Sequence, residues 1–343
     1  MNKERIYSWL GTRKNPAPSL DMILQPVSSD LRKVEKLLRT WSEATSPVIM
    51  HMAGQVISSH GKLIRPGLLL LLAGYLDYRG NKKLQTAATV EAVHMASLIH
   101  DDIIDGSPTR RGQKTAVRVF GPGFSLLLGD YFFIKSIKNS LAVSSQKIPL
   151  LLAEATEQMI EGEMEELAQS YNFDLTESQY LQIIRKKTAG LFEATCEIAC
   201  TIGHAPPKEK SVMLAYGLNL GLTFQVVDDL LDLAGNPAET GKDRFSDLRE
   251  GRVTLPIIVA LKNCGSGMRN RLKTALEKVK LKPEEKNFSQ LLRLLEESRT
   301  LELTYAQAEE LAEKARKAAL KLKPSVYRQS LIELVDFVLS RKK

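Results

Sequence analysis

The sequence predicts an all-α protein folded as a single large helical bundle. Apolar residues recur at spacings of three and four along almost the whole chain of 343 residues, which is the period of an amphipathic helix. Runs that alternate apolar and polar residues, the pattern of half-buried strands, are nearly absent. Two of the most apolar helical segments end in clusters of aspartate, as in bundles whose central helices deliver ligands to one end of a cavity.

Thirteen helices follow from this spacing, and glycine or proline marks many of their ends. The predicted helices cover residues 19–43, 46–58, 66–78, 83–104, 123–143, 148–170, 176–202, 209–233, 253–263, 267–280, 284–297, 302–322 and 326–341. The loops between them are too short to serve as domain linkers. We therefore expect one helical domain over residues 21–343, preceded by a basic N-terminal arm over residues 1–20.

The charge distribution argues against a nucleic-acid-binding protein. The formal net charge is +8, but most of the positive excess lies in residues 1–14 and 311–343, and no basic patch is interleaved with aromatic residues. Such basic ends indicate at most peripheral contact with an anionic membrane. The longest apolar run, residues 68–76, is about half of the roughly 20 residues of a membrane span, and the charged N-terminus lacks the apolar stretch of a signal peptide. We therefore expect a cytoplasmic protein.

Two copies of the pattern Asp-Asp-x-x-Asp, at residues 101–105 and 228–232, point to a metal site. Glycine and proline follow each copy and mark it as a helix C-terminus, where the helix dipole disfavours carboxylates. Carboxylates that occupy this unfavourable position twice indicate a functional site. Within each copy the first and last carboxylates share one helix face, so a divalent cation could bind there.

Basic residues near these acid sets indicate a phosphate ligand. They are Lys62 and Arg65, Arg110 and Arg111, Lys187 with Thr188, and Lys242. Arginine and lysine are the usual partners of phosphate oxygens, and Mg²⁺ held by carboxylates completes its coordination with waters and substrate phosphates. His94, two helical turns before Asp101, lies near the same face and could reach an anion. A diphosphate bridged to aspartate by metal fits both observations.

The segments HMASLIHDDIIDGSPTRRG and GLTFQVVDDLLDLAG together resemble the trans-isoprenyl diphosphate synthases, also called polyprenyl synthetases. The resemblance extends by motif from Gly61 to Pro256. It implies the type I isoprenoid synthase fold, a helical bundle around a central elongated cavity. It also implies a Mg²⁺-dependent prenyltransferase that condenses isopentenyl diphosphate with an allylic diphosphate, similar to hexa-, hepta- or octaprenyl diphosphate synthases.

The resemblance assigns roles to matching residues. Three Mg²⁺ ions would be held by Asp101, Asp105, Asp228 and Asp232. The catalytic residues would be Asp101, Asp102, Asp105, Asp228, Asp229 and Lys187. The allylic diphosphate would bind Arg110, Lys187, Thr188, Gln225 and Lys242. Isopentenyl diphosphate would bind Lys62, Arg65, His94 and Arg111.

Product length follows from the helix that precedes the first acid set. Val93, Ala96 and Ser97 lie on the face that continues below the metal end, and a chain growing along it advances about 5.4 Å per helical turn. Short-chain members of the family often carry aromatic residues at the position of Ala96 or Ser97, and here both side chains are small. We therefore expect about six to eight isoprene units, with a tunnel floor at Phe132, Phe133 or Met159.

Four positions depart from the family pattern, and four alternatives stay open. The departures are His60 and Phe245 in place of glycine, Lys114 in place of proline, and Arg252 in place of lysine. The chain could be a subunit that needs a second chain, as a heterodimer rather than a homodimer. It could be a farnesyl or geranylgeranyl synthase with a shorter product. A class I terpene cyclase would usually have a different second metal motif, and a di-iron bundle would need Glu-x-x-His pairs, which are missing.

Overall fold

The computed structural model describes residues 18–43, 46–59, 61–110, 112–143, 146–235 and 244–341. Apart from one short hairpin, the regular structure in these ranges is helical, which confirms the predicted all-α class. Buried apolar side chains from Leu20 to Leu339 form one contiguous core. None of the described helices is both long and apolar enough to cross a bilayer. The apolar run that begins at residue 68 instead forms a helix buried inside this core.

Seventeen α-helices are present in the described ranges. They are α1 (Leu20–Ile23), α2 (Ser28–Glu43), α3 (Pro47–Ser59), α4 (Ile64–Tyr75), α5 (Lys82–Ile104), α6 (Ala116–Phe120), α7 (Pro122–Leu141), α8 (Lys147–Ala168), α9 (Glu177–Ile184), α10 (Gly190–Ile202), α11 (Pro207–Ala234), α12 (Ser246–Arg249), α13 (Leu255–Asn263), α14 (Ser266–Leu281), α15 (Glu285–Glu297), α16 (Thr300–Leu320) and α17 (Val326–Ser340).

The predicted helices are present, and the structure corrects two of them. The predicted helix over 19–43 is interrupted by a 3₁₀ turn at Gln25–Val27, because Pro26 has no amide hydrogen to donate. The predicted helix over 176–202 contains one π-helical turn at Arg185–Ala189, between α9 and α10. Such wide turns are rare and occur often at functional sites.

The predicted loop between the helices over 83–104 and 123–143 contains regular structure that the helical pattern did not reveal. Strands β1 (Thr109–Arg110) and β2 (Gln113–Lys114) form an antiparallel hairpin, and α6 follows it. Gly112 takes a φ of +74° in the turn between the strands, a conformation that glycine adopts without a steric penalty. Lys114, one of the departures from the family pattern, is therefore the last residue of β2.

Two long central helices position the site. The helix α5 packs along α4 and α7, while α11 packs along α10 and α16. The first acid set closes the C-terminal end of α5, and Gly106 then ends the helix with a φ of +62°. The second acid set occupies the last turns of α11. The fold directs both ends toward the same cavity, although the two sets lie more than a hundred positions apart in sequence.

Candidate active site

Both acid sets line one cavity of about 1350 Å³. It exceeds the roughly 300–1,000 Å³ of most small-molecule pockets, as an elongated ligand would require. The predicted site residues in its wall are Lys62, Arg65, Val93, His94, Ala96, Ser97, Asp101, Asp105, Arg110, Lys187, Thr188, Gln225, Asp228, Asp229 and Asp232. Of the other three, Asp102 is buried behind the wall, and Arg111 and Lys242 lie outside the described residues, as does His60.

The last turn of α5 presents Asp101 and Asp105 to the cavity. Burial raises the pKa of Asp101 to about 7, opposed by the charge of Lys187 and reinforced by that of Glu163. Asp105 instead forms an ion pair with Arg252. Without a metal, this acid set is therefore stabilised partly by protonation and partly by neighbouring cations.

Asp102 holds a cation in place. Its side chain is 5% exposed and accepts a hydrogen bond of 2.8 Å from Nε of Arg110, the second residue of β1. This bond ties the hairpin to the end of α5 and keeps the guanidinium at the cavity wall. The sequence predicts Asp102 among the catalytic residues, and in the structure its side chain also orients Arg110.

The three aspartates at the end of α11 have different surroundings. Asp228 accepts a hydrogen bond of 2.8 Å from Arg341, whose guanidinium also stacks over the Phe224 ring at 3.8 Å. Asp232 accepts a bond of 2.9 Å from the backbone nitrogen of Ser246 and therefore supports the first turn of α12. Asp229 is buried, and burial together with its charged neighbours raises its pKa well above the usual range.

The π-helical turn places the Lys187 side chain in the cavity wall, close to acidic side chains of α8 and α5. Burial alone would lower its pKa, but Glu166, Glu163 and Asp101 together raise it above the ordinary value, so the ammonium stays charged. Lys187 Nζ lies 2.5 Å from a carboxylate oxygen of Glu163 and of Glu166, both on α8. The turn packs closely on α8, because a Cβ added at Gly162 would lie 2.6 Å from the Lys187 backbone nitrogen.

Two cations line the cavity close to Phe337 and Phe192. Lys62 Nζ lies 5.3 Å from the centroid of the Phe337 ring, and the Arg65 guanidinium lies 4.3 Å from that of Phe192. Arg65 is 8% exposed. His94 lines the same cavity as these two cations. Cation–π contacts of this kind stabilise the two side chains in place while they face the cavity.

The cavity continues along α5 into an apolar region. Val93, Ala96 and Ser97 line it, and so do Phe133 and Met159, two of the three candidates for the tunnel floor. The third, Phe132, is not part of the wall, because its ring is 1% exposed inside the core. Ser97 adds little polarity, since its hydroxyl donates 2.9 Å to the His94 carbonyl of its own helix. A charged end therefore opens into an apolar channel.

Comparison with known proteins identifies the family. A family model described as polyprenyl synthetase matches residues 46–295. The chain belongs to the polyprenyl synthetase family. This polyprenyl synthetase is a prenyltransferase, and its fold is the all-α isoprenoid synthase fold of its structural neighbours.

Three similar proteins cover nearly the same length. The octaprenyl diphosphate synthase of Haemophilus influenzae is 31% identical over 329 residues, which are 96% of this chain and 99% of the relative. Heptaprenyl diphosphate synthase component 2 of Geobacillus stearothermophilus is 30% identical over 84% of this chain and 88% of its own. The crystal structure of a Caulobacter crescentus polyprenyl synthase, complexed with calcium and isoprenyl diphosphate, has a TM-score of 0.90 at 31% identity, covering 96% of this chain and 100% of that one.

The acid sets of this polyprenyl synthetase fit a divalent metal that shares its coordination with substrate. Carboxylates from two helices line one cavity, and hard cations such as Mg²⁺ prefer such oxygen donors. Among the described residues, no three acidic, histidine or cysteine side chains already converge into a metal site. Substrate phosphates and waters would therefore supply the missing ligands, consistent with the cations in the same wall.

Several cavity residues of this polyprenyl synthetase were not predicted from the sequence as site residues. They are Glu163, Glu166, Tyr180, Asp247, Arg341 and Arg252, which the sequence singled out only as a departure from the family pattern. Burial would lower the pKa of Arg252, but the charges of Asp247 and Glu166 raise it above its ordinary value. Glu163, Glu166 and Asp247 fall in charge-rich helical segments whose pattern is also typical of a solvated surface. Only the packing therefore reveals that they face the cavity.

Proposed function

We propose that this enzyme is a medium- or long-chain trans-polyprenyl diphosphate synthase with a product of about six to eight isoprene units. It would add isopentenyl diphosphate repeatedly to an allylic diphosphate. The observation that carries this proposal is one cavity with two aspartate sets and a cluster of cations at one end and an apolar channel at the other. A substrate with a charged diphosphate head and a growing hydrocarbon tail matches that division.

Two groups of residues would bind the two diphosphate substrates. Asp101, Asp105, Asp228 and Asp232 would hold three Mg²⁺ ions, which neutralise charge that develops on the leaving diphosphate. Arg110, Lys187, Thr188, Gln225 and Lys242 would bind the allylic diphosphate. Lys62, Arg65, His94 and Arg111 would bind isopentenyl diphosphate and keep its alkene beside the allylic carbon.

The reaction then needs no nucleophilic side chain. The allylic C–O bond breaks, and the diphosphate leaves with the electron pair while Lys187 and Arg110 stabilise it. The alkene of isopentenyl diphosphate attacks the allylic cation and forms the new C–C bond. Loss of one proton, taken up by the released diphosphate, restores a double bond. The apolar wall around Ala96 and Ser97 would exclude water, which would otherwise trap the cation.

An assay of the purified chain tests the proposal. The full chain would be mixed with an allylic primer, labelled isopentenyl diphosphate and Mg²⁺, and the dephosphorylated products separated by thin-layer chromatography. We expect a labelled product of about six to eight units, and loss of at least about a hundredfold in rate in Asp228→Asn. The control is Asp174→Asn, which changes an exposed aspartate outside the cavity. A wild-type reaction that forms no labelled product would contradict the proposal.

We also propose that the chain works as a dimer. An exposed apolar row runs along α7 and α8, and its members are each at least 50% exposed: Phe124, Leu127, Ile134, Leu141, Leu150, Ile160, Met164 and Leu167. Ile160, Met164 and Leu167 also line the cavity, so a partner on this row would close the channel wall. The similar heptaprenyl synthase component 2 supports a second subunit as an alternative to a second copy. The cytoplasmic location and the basic arm over residues 1–20 stay predictions.

Charge inserted into the exposed apolar row is expected to separate the subunits. The double substitution Leu127→Glu and Ile134→Glu would bury two unpaired carboxylates in the interface, so sedimentation should show a monomer where the wild type is a dimer. Leu320→Glu, an equally drastic change at an exposed leucine of α16, should leave the dimer intact. A wild type that sediments alone as a monomer and makes no product would favour the heterodimer.

A further inference from the structure

Tyr180 is a buried member of the cavity wall without a role in the proposed chemistry. It lies in α9, is 3% exposed, and its hydroxyl donates a hydrogen bond to Oδ2 of Asp229. Asp229, on α11, is itself only 1% exposed. A buried carboxyl group requires such partners, because an unsatisfied polar group inside a protein is costly. The bond therefore joins the helix before the π-helical turn to the helix of the second acid set.

The hydrogen bonds continue from Asp229 back to the π-helical turn. Gln225 donates from Nε2 to Oδ1 of Asp229 at 2.8 Å, and it accepts at Oε1 from Oγ1 of Thr188, also at 2.8 Å. Thr188 lies within the π-helical turn, and Tyr180 lies about two turns before it. The segment from Tyr180 to Thr188 is thus bonded to α11 at both ends through a single carboxylate.

These hydrogen bonds hold the π-helical turn, which carries Lys187, against α11, which carries the second acid set. Lys187 lies between the two anchoring points and next to Thr188, and its ammonium pairs with acids of α8 on the opposite side. If the turn moved away from α11, Lys187 and Thr188 would move relative to Asp228. The same diphosphate is expected to touch both groups. A displacement of about 1 Å at a catalytic site can lower a rate by about a hundredfold.

We propose that Tyr180 is a positioning residue of the allylic diphosphate site. Through Asp229, its hydroxyl sets the spacing between the π-helical turn and the second acid set. Asp229 is almost fully buried and both of its oxygens accept hydrogen bonds, so it acts as the anchor of the network. The inference rests on the proposed function, since it assigns the turn and the acid set to one allylic substrate.

The substitution Tyr180→Phe tests the role, because it deletes only the hydroxyl. The matched control is Tyr216→Phe: Tyr216 is fully buried on α11 and donates 2.8 Å to the Leu331 carbonyl, away from the cavity wall. Loss of a hydrogen bond to a buried carboxyl group should raise the KM for the allylic substrate about tenfold in Tyr180→Phe. The KM for isopentenyl diphosphate should stay within about twofold, and Tyr216→Phe should change neither constant.

A binding measurement separates this inference from the proposed reaction. Mg²⁺ with inorganic pyrophosphate should raise the melting temperature of the wild type and of Tyr216→Phe by the same amount, and that of Tyr180→Phe by clearly less. Equal shifts in all three proteins, together with an unchanged allylic KM, would overturn the positioning role. A wild type that responds to pyrophosphate but makes no polyprenyl product would instead overturn the proposed function and leave the tyrosine tested by binding alone.

Discussion

At the residue scale, Asp101 shows how a functional carboxylate destabilises the metal-free fold. In the unfolded chain it would ionise near 3.8, but in the structure burial raises its pKa to about 7. The folded state therefore binds more protons than the unfolded state between these values, and stability falls as pH rises through that range. Above pH 7 the full cost of a buried negative charge remains until a metal compensates it.

Replacement of Asp101 by asparagine should therefore stabilise the metal-free protein at pH 8. We expect Asp101→Asn to raise the melting temperature by several degrees in EDTA, which corresponds to roughly 1–3 kcal/mol, with little effect at pH 4. Thermal melts at both pH values measure the difference. Asp174→Asn is the control, because Lys273 lowers the pKa of that exposed carboxylate and its loss should give no stabilisation. A lower melting temperature for Asp101→Asn at pH 8 would contradict the sign of this shift.

At the element scale, the short helix α12 is preceded by a residue in an unfavourable conformation. Phe245 has a φ of +60°, which costs a residue with a Cβ about 1–2 kcal/mol. Its ring is 2% exposed and lies 5.1 Å from that of Phe288. Burial of an aromatic ring outweighs this strain, since truncation of a buried phenylalanine costs about 3–5 kcal/mol. The glycine that is usual in the family would remove the strain. In this chain the packing of the Phe245 ring offsets it instead.

Two substitutions at Phe245 separate packing from strain. Phe245→Ala should lower the free energy of unfolding by about 3–5 kcal/mol. Phe245→Gly should lower it by about 1–2 kcal/mol less, because glycine adopts a positive φ without penalty. Urea unfolding of the three proteins measures both differences. If Phe245→Gly were more stable than the wild type, the ring would contribute less than the backbone strain, contrary to this account.

At the scale of the whole molecule, the length of the apolar channel should determine the length of the product. The wall along α5 is open because Ala96 and Ser97 are small. Ser97→Phe should place a ring across the channel and shorten the product by several isoprene units, about one for each helical turn removed. Product chromatography under the conditions of the synthase assay would show the change.

The control for this prediction is Ser97→Ala. The hydroxyl of Ser97 bonds only to its own helix in the described contacts, at the His94 carbonyl, so its removal should leave the product length unchanged. A product of wild-type length from Ser97→Phe would show that the chain grows along another path. A product of altered length from Ser97→Ala would show that polarity, not bulk, limits elongation.

The sequence by itself determined the helical class and part of the cavity wall, because both depend on local patterns. Apolar spacing predicts helices, and aspartates at the glycine-marked end of an apolar helix conflict with the helix dipole in a way that only a ligand explains. For the same reason the two acid sets, Lys62, Arg65 and Lys187 were found without coordinates. The hairpin that carries Arg110 was missed, since strands of two residues leave no periodic signal.

Only the tertiary structure decided how these groups pair. Asp102, Asp229 and Asp232 look alike in the sequence, yet one orients Arg110, one anchors Tyr180 and one supports α12. Arg341 and Arg252 reach the acid sets from distant parts of the chain. Ion pairs and buried hydrogen bonds between helices depend on distances of a few ångströms in space. The local spacing of residues in the sequence does not reveal such distances, so only the packing of the helices shows which partner each carboxylate has.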